Sequence, residues 1–405
     1  MTVTLDDVRA AEKLLAGVTT RTPIESSRPL AERLGRPVLL KCENLQRAGS
    51  FKIRGAYVRI ARLSAEEKAR GVVAASAGNH AQGVALAASL LGTSATVFMP
   101  EGAPLPKLAA TRDYGATIEL AGSSVESALE AAHAFSARTG AVLIHPFDHA
   151  DIVAGQGTLG LELLEQVPNA STIVIPVGGG GLVAGVALAV RALRPDIRVI
   201  GVQSERVAPY PISLEQGAPT TIEAQRTMAD GIAISRPGDV PFAEISRWVD
   251  RIVTVTEESL SQALLLLLER SKLVVEPAGA AGVAAIMQHP EVFDDGSDAP
   301  VVCVLSGGNI DPLLLMNVVR HGLAAAGRFL SFRVRISDRP GSLDVLLRVL
   351  AEMAVSVLDV VHERTASTLA IDEVEVTLSV ETRGPEHRFA VEQALREHGY
   401  VITYT

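Results

Sequence analysis

Two apolar rhythms alternate from about residue 20 to 323. Short β-branched runs with almost no polar interruption are separated by longer Ala/Leu-rich stretches whose apolar positions recur every three or four residues. The short runs predict strands buried on both faces and the longer stretches predict helices packed over them, which together make a mostly parallel, doubly wound α/β sheet. Strands are predicted at 38–41, 72–75, 95–99, 117–120, 142–144, 172–176, 199–203 and 301–305. At the tail the rhythm changes. The order there is strand 329–336, turn 337–341, helix 342–353, strands 355–363 and 373–380, helix 385–398 and strand 400–404, a ferredoxin-like βαββαβ pattern. A boundary at 325–328 gives a main domain over 1–326 and a second domain over 329–405.

Ligands of open α/β sheets bind beyond the carboxyl ends of the strands. Three of those ends run into glycine-containing turns that lead into helices. The first is Ser76, Ala77, Gly78, Asn79 and His80; the second is Gly178, Gly179, Gly180, Gly181 and Leu182; the third is Ser306, Gly307, Gly308 and Asn309. One shared cleft is the economical reading. Four successive glycines leave backbone N–H groups free to converge on an anion, and the following helix adds its positive end, so a phosphate fits there. Gly179-x-Gly181-x-x-Ala184 also satisfies a dinucleotide fingerprint, but that motif needs an acid near the end of the next strand, where Gln203 stands.

Lys52 follows an apolar run at 37–40 and a polar turn at 43–49, and it opens a helical pattern through Ile53, Tyr57, Ile60 and Ala61. Near a helix N-terminus, the positive end of the backbone dipole and apolar neighbours disfavour an ammonium. The amine pKa should fall, which suits Schiff-base chemistry. A lone lysine is most often a solvated surface residue, so the assignment depends on its partners.

The stretch Ser50-Phe51-Lys52-Ile53-Arg54-Gly55-Ala56 resembles the lysine motif of the fold type II (tryptophan synthase β-like) pyridoxal-phosphate enzymes, and most closely that of the threonine dehydratases. The resemblance keeps the same order of motifs from about residue 20 to 323. It implies two lobes, the smaller one (about 53–150) inserted in the larger, and pyridoxal 5'-phosphate as cofactor. Lys52 would form the Schiff base with Phe51 beside it, and Gly178, Gly179, Gly180, Gly181 and Leu182 would hold the phosphate. Asn79 would bond the ring 3'-oxygen and Ser306 the pyridine nitrogen; a serine there leaves the ring unprotonated and favours elimination. The substrate carboxylate would lie against Ser76, Ala77, Gly78, Asn79 and His80, largely on backbone N–H groups at the helix start, with Glu276 near the cofactor in a structural part.

The implied reaction is dehydration and deamination of L-threonine to 2-oxobutanoate and ammonia, and of L-serine to pyruvate, with Lys52 removing the Cα proton. Ala77 stands where the related serine racemases carry a second serine, so racemisation should be minor. Gln203 and Pro209 stand where those racemases carry metal-binding carboxylates, so no such metal site is expected. The tail sequence Asp338-Arg339-Pro340-Gly341-Ser342-Leu343 resembles the first loop of ACT domains, which pair across subunits and bind small effectors. It implies effector control and a homodimer or homotetramer, with isoleucine, a nucleotide or another amino acid open as effector. Two alternatives stand beside this reading: a pyridoxal-phosphate β-replacement enzyme of cysteine metabolism, and an inactive amino-acid sensor. Intact Lys52 and the four glycines argue against the sensor.

Composition narrows the class further. At 405 residues and 48% hydrophobic content the chain can bury a large core in two or three domains. A net charge of -9 leaves no basic field for nucleic acid. Cys42 and Cys303, far apart, read as buried free thiols in a reducing compartment, with the cytoplasm expected. The N-terminus lacks a signal-peptide pattern, and no apolar run reaches the ~18 residues of a membrane span. The histidines show no metal-ligand spacing.

Overall fold

The computed structural model describes residues 2–364 and 369–404, so Met1, residues 365–368 and Thr405, which fall within the expected domains, lie outside the described residues. Contacts divide the chain into the units Met1–Leu315 and Met316–Thr405. The division falls inside the helix Pro312–Ala325, earlier than the boundary read from the sequence.

The first unit holds two sheets. In chain order its strands are β1 (Ile24–Ser26), β2 (Val38–Lys41), β3 (Val72–Ala75), β4 (Ala95–Met99), β5 (Thr117–Leu120), β6 (Val142–Leu143), β7 (Thr172–Pro176), β8 (Arg198–Ser204), β9 (Arg251–Val255) and β10 (Val301–Val304). The larger sheet has the order β1-β2-β10-β7-β8-β9, parallel except for β1, and the smaller has β5-β4-β3-β6, parallel throughout. β3, β7 and β10 are buried along their whole length, as their unbroken apolar runs require. Because β10 lies between β2 and β7, the turn after β10 emerges beside the lysine stretch on one side and the glycine turn on the other.

Two strands depart from the sequence expectation. β1 has only three residues, and β9, at the sheet edge, runs from exposed Arg251 through half-buried Ile252 and Thr254 alternating with buried Val253 and Val255, so neither offers a continuous apolar run. The other boundaries move by a residue or so, and the last strand of the tail is shorter than expected, at Thr403–Tyr404.

Helix packing sets the position of the glycine turn. The helix Gly181–Leu193 is buried at every position from 181 to 190, because it is covered both by the sheet and by the helix Ala150–Gln166. The two helices meet backbone to backbone. A Cβ on Gly185 would collide with the Val153 carbonyl oxygen, and one on Gly157 would stand 2.9 Å from the Gly185 carbonyl oxygen. Side chains such as Val183, Val186, Leu159 and Leu163 fill the flanking space, each contributing about 1.5–3 kcal/mol of burial. Gly185→Ala would drive these helices apart and move the cleft with them.

In the second unit β11 (Phe329–Ser337), β12 (Ser356–Glu363), β13 (Glu373–Glu381) and β14 (Thr403–Tyr404) form an antiparallel sheet of order β12-β13-β11-β14. With the helices Ser342–Glu352 and Pro385–Glu397 this is the ferredoxin-like βαββαβ arrangement. Alternate residues of β11 and β13, among them Phe332, Val334, Val376 and Leu378, bury against Leu346, Leu350, Val391 and Leu395. β12 is exposed along its length at the sheet edge, with Val357, Leu358 and Val361 open to solvent. Among the described residues no helix is long and apolar enough to cross a membrane.

Candidate active site

The lysine stretch is tied to the turn after β10 before its helix begins. Ala48 (φ 58) and Gly49 (φ 69) turn the chain through left-handed conformations, Ser50 bridges to Gly307, and the Phe51 N–H donates to the Ser306 carbonyl at 3.2 Å. Lys52 is the first residue of the helix Lys52–Ala61, as its apolar spacing predicts. Its Nζ donates to the Pro146 carbonyl at 3.0 Å and lies 5.2 Å from the centre of the Phe51 ring. Burial pushes the amine down to about 8, against the opposing pull of the Glu276 carboxylate. Two residues along, Arg54 is buried. It holds Glu43 through Nε (2.8 Å) and Nη2 (2.9 Å), and its Nη2 also reaches Glu162 at 2.8 Å, which pins the start of this helix to the helix Ala150–Gln166.

The cavity above Lys52 has a volume of about 430 Å³ and is reached by all three strand-end turns. The glycine turn fits a phosphate on steric grounds. A Cβ on Gly179 would run into the Phe147 ring, and one on Gly180, at φ +100, would run into the Tyr210 hydroxyl. The Gly179 carbonyl accepts from the Tyr210 hydroxyl at 3.0 Å and from the Gly238 N–H at 3.2 Å. The amides of Gly178, Gly179, Gly180, Gly181 and Leu182 donate to no atom among the described residues, and they sit at the start of a thirteen-residue helix. Free donors plus the helix positive end make an anion cradle with no room for side chains.

Ser76 accepts the Gly78 N–H through its hydroxyl at 3.1 Å, while the amides of Ala77, Asn79 and His80, at the start of the helix Asn79–Leu90, donate to no atom among the described residues. His80 is buried and its imidazole Nε2 bonds the Ile144 carbonyl at 2.7 Å. Burial, with Lys52 nearby, pushes it down to about 3, so the ring stays neutral and His80 offers the cavity its backbone only. Asn79 donates to Glu276 Oε1 at 2.6 Å. Glu276 is buried; burial and the Asp230 carboxylate push it up to about 7, with Lys107, the Asn79 hydrogen bond and Lys52 opposing. Ser306 lines the cavity and its hydroxyl has no hydrogen-bond partner among the described residues. Ala77 presents a methyl group.

The sequence reading missed several contributors. Pro146 and Phe147 follow β6, a fourth strand end that the same rule would have flagged. Lys107 and Asp230 pair at 3.1 Å at the cavity and come from stretches without a motif. Tyr210 owes its place to Gln203, whose buried amide accepts the Tyr210 N–H at 3.0 Å and donates to the Val177 carbonyl at 3.3 Å. In the second unit Asp338, Arg339, Pro340 and Gly341 line a separate cavity of about 220 Å³ with His362 and Arg364, and Arg364 pairs with Asp338 at 3.1 Å.

The chain is similar to known proteins. The chain is 44% identical over 400 residues, 99% of each chain, to the L-threonine ammonia-lyase of Thermotoga maritima. The threonine deaminase of T.th., a solved crystal structure, superposes with a TM-score of 0.71 at 44% identity, covering 76% of this chain and 99% of that one. Maize serine racemase gives 0.75 at 36% identity, covering 80% and 99%. Residues 15–307 match the family described as "Pyridoxal-phosphate dependent enzyme", a span that contains Lys52, the glycine turn, Asn79 and Ser306. On the combined weight of sequence, fold and family match, the chain belongs to the pyridoxal-phosphate dependent enzymes.

Proposed function

We propose that this protein is a threonine ammonia-lyase, converting L-threonine to 2-oxobutanoate and ammonia and L-serine to pyruvate and ammonia. The observation that carries the reading is the meeting of a half-buried lysine, an anion cradle, Asn79 and Ser306 in one cavity, in a chain 44% identical over nearly its full length to an L-threonine ammonia-lyase. Bound pyridoxal phosphate supplies an electron sink that acidifies the substrate Cα–H. Lys52 would hold the cofactor, and its Nζ would take the substrate Cα proton; its lowered pKa makes the neutral amine accessible near neutrality. The amides of the glycine turn would hold the phosphate, the Asn79 N–H would donate to the ring 3'-oxygen, and the Ser306 hydroxyl would meet the ring nitrogen without carrying a charge. The free amides at Ala77, Asn79 and His80 hold the substrate carboxylate. Ala77 offers no proton donor, which favours elimination over inversion at Cα. The water lost from the β-carbon is regained when the released enamine hydrolyses to the keto acid.

The second unit is proposed as an ACT domain. Its Asp338–Gly341 cavity suits a small effector carrying both charges, since Asp338, Arg339 and Arg364 all line it. The exposed apolar edge β12 offers a surface for a second copy, in keeping with a homodimer or homotetramer. The test is keto-acid release from threonine and from serine by the full chain, with and without isoleucine and AMP. Release from threonine is expected. Asp338→Ala should abolish any effector response and leave basal turnover in place. No keto acid from either substrate would overturn the reading.

A further inference from the structure

One polar chain in the main unit is left unused by the catalytic assignments. Asn309, the last residue of the turn after β10, donates from Nδ2 to the Ala48 carbonyl at 2.7 Å and Asn79 Oδ1 at 2.9 Å, with Gln82 Oε1 at 3.3 Å sharing one of its two hydrogens. A backbone carbonyl can only accept, so the atom of Asn309 that faces Ala48 is its nitrogen. That nitrogen also faces Asn79, so the atom Asn79 turns toward it is oxygen. The Asn79 nitrogen therefore points the other way, to Glu276 Oε1 at 2.6 Å, where the carboxyl oxygen accepts. One Asn79 N–H is consumed by Glu276, and the second has no acceptor among the described residues, at a residue that lines the cavity.

The geometry points to Asn309 as a positioning residue: by fixing which end of the Asn79 amide is nitrogen, it makes residue 79 a donor rather than an acceptor toward the cofactor oxygen. The backbone around it is tightly fitted. Ala48, whose carbonyl anchors the chain of bonds, sits at φ 58, ψ 19, a left-handed conformation that non-glycine residues rarely adopt. A Cβ on the next residue, Gly49, would collide with Asn309 Oδ1, so the space beside the Asn309 amide exists only because residue 49 is glycine. Asn309 comes from the turn after β10 of the large sheet, and Asn79 from the helix that follows β3 of the small sheet. The bond between them sets the amide across the cleft. With the amide reversed, the Asn79 oxygen would face the Glu276 carboxylate, and an acceptor would face the electron-rich cofactor oxygen.

This inference rests on the cofactor pose proposed above, and its test separates the two. Asn309→Asp is isosteric but places a carboxylate against three acceptors, so the Asn79 amide reverses. Cofactor binding to the stripped protein is followed by absorbance titration, alongside the wild type. Binding about tenfold weaker is expected at pH 8, the loss of one good hydrogen bond. The absorption band of the bound cofactor should also shift, and affinity should recover toward the wild-type value as pH falls and protonation of the new carboxyl restores a donor. Asn309→Ser, too short to span Ala48 and Asn79, should weaken binding without that recovery, and it carries the test if the aspartate variant fails to fold. A folded variant with wild-type affinity and an unshifted band overturns the role of Asn309. A wild-type protein that binds no cofactor overturns the pose itself.

Discussion

Glu276 gives the sharpest physical prediction, because the cleft holds a carboxylate where burial opposes its charge. It is 6% exposed, and burial together with Asp230 raises it from the ordinary 4.5 to about 7. Below pH 4.5 the group is protonated in both folded and unfolded chains and costs nothing. Between 4.5 and 7 the unfolded chain gives up its proton while the folded one keeps it, so folding is progressively disfavoured as pH rises. Above 7 the cost is complete, about 3 kcal/mol for a difference of this size. Glu276→Gln removes the charge and keeps an oxygen to accept the Asn79 N–H. In urea unfolding of the cofactor-free protein, the variant should gain about 2–3 kcal/mol over the wild type at pH 8, and the gain should fade toward zero by pH 5. Comparing the two pH values cancels any effect of the substitution unrelated to ionisation. A gain independent of pH, or a larger gain at pH 5 than at pH 8, would refute the reasoning.

Three further outcomes follow from the same geometry. Arg54→Met leaves Glu43, fully buried, without its cation and should cost about 3–5 kcal/mol in denaturant unfolding. Gly179→Ala drives a methyl into the Phe147 ring, so cofactor affinity, read by titration, should fall more than about tenfold. The rate at which the stripped protein captures pyridoxal phosphate covalently should rise with pH and level off above about 8, as the Lys52 amine becomes neutral; a flat profile from about pH 6 to 9 would contradict the lowered pKa.

The strand-end turns were legible because each combines a fully buried apolar run with residues that packing alone does not call for. Four glycines in a row have no structural reason until Phe147 and Tyr210 are seen crowding them. Lys52 at a helix start was legible from the spacing of Ile53, Tyr57 and Ile60, and its lowered pKa followed from burial. What escaped the sequence is what depends on long-range approach. Lys107 meets Asp230 across 123 positions, and Asn309 meets Asn79 across 230, and no local pattern encodes either. For His80 the expectation rested on its backbone amide at the helix start, and the imidazole, which no local pattern places, is committed to the Ile144 carbonyl. The edge strands β1 and β9 lacked the continuous apolar run that marks a strand buried on both faces.

The central claim is that the Lys52 amine both holds the cofactor and moves the substrate proton. Lys52→Ala, assayed for 2-oxobutanoate release from threonine and for the absorbance of covalently bound cofactor, tests it most directly. Loss of both the covalent absorbance and turnover, with the fold retained, is the predicted result. Substantial dehydration of threonine by the alanine variant would contradict the account.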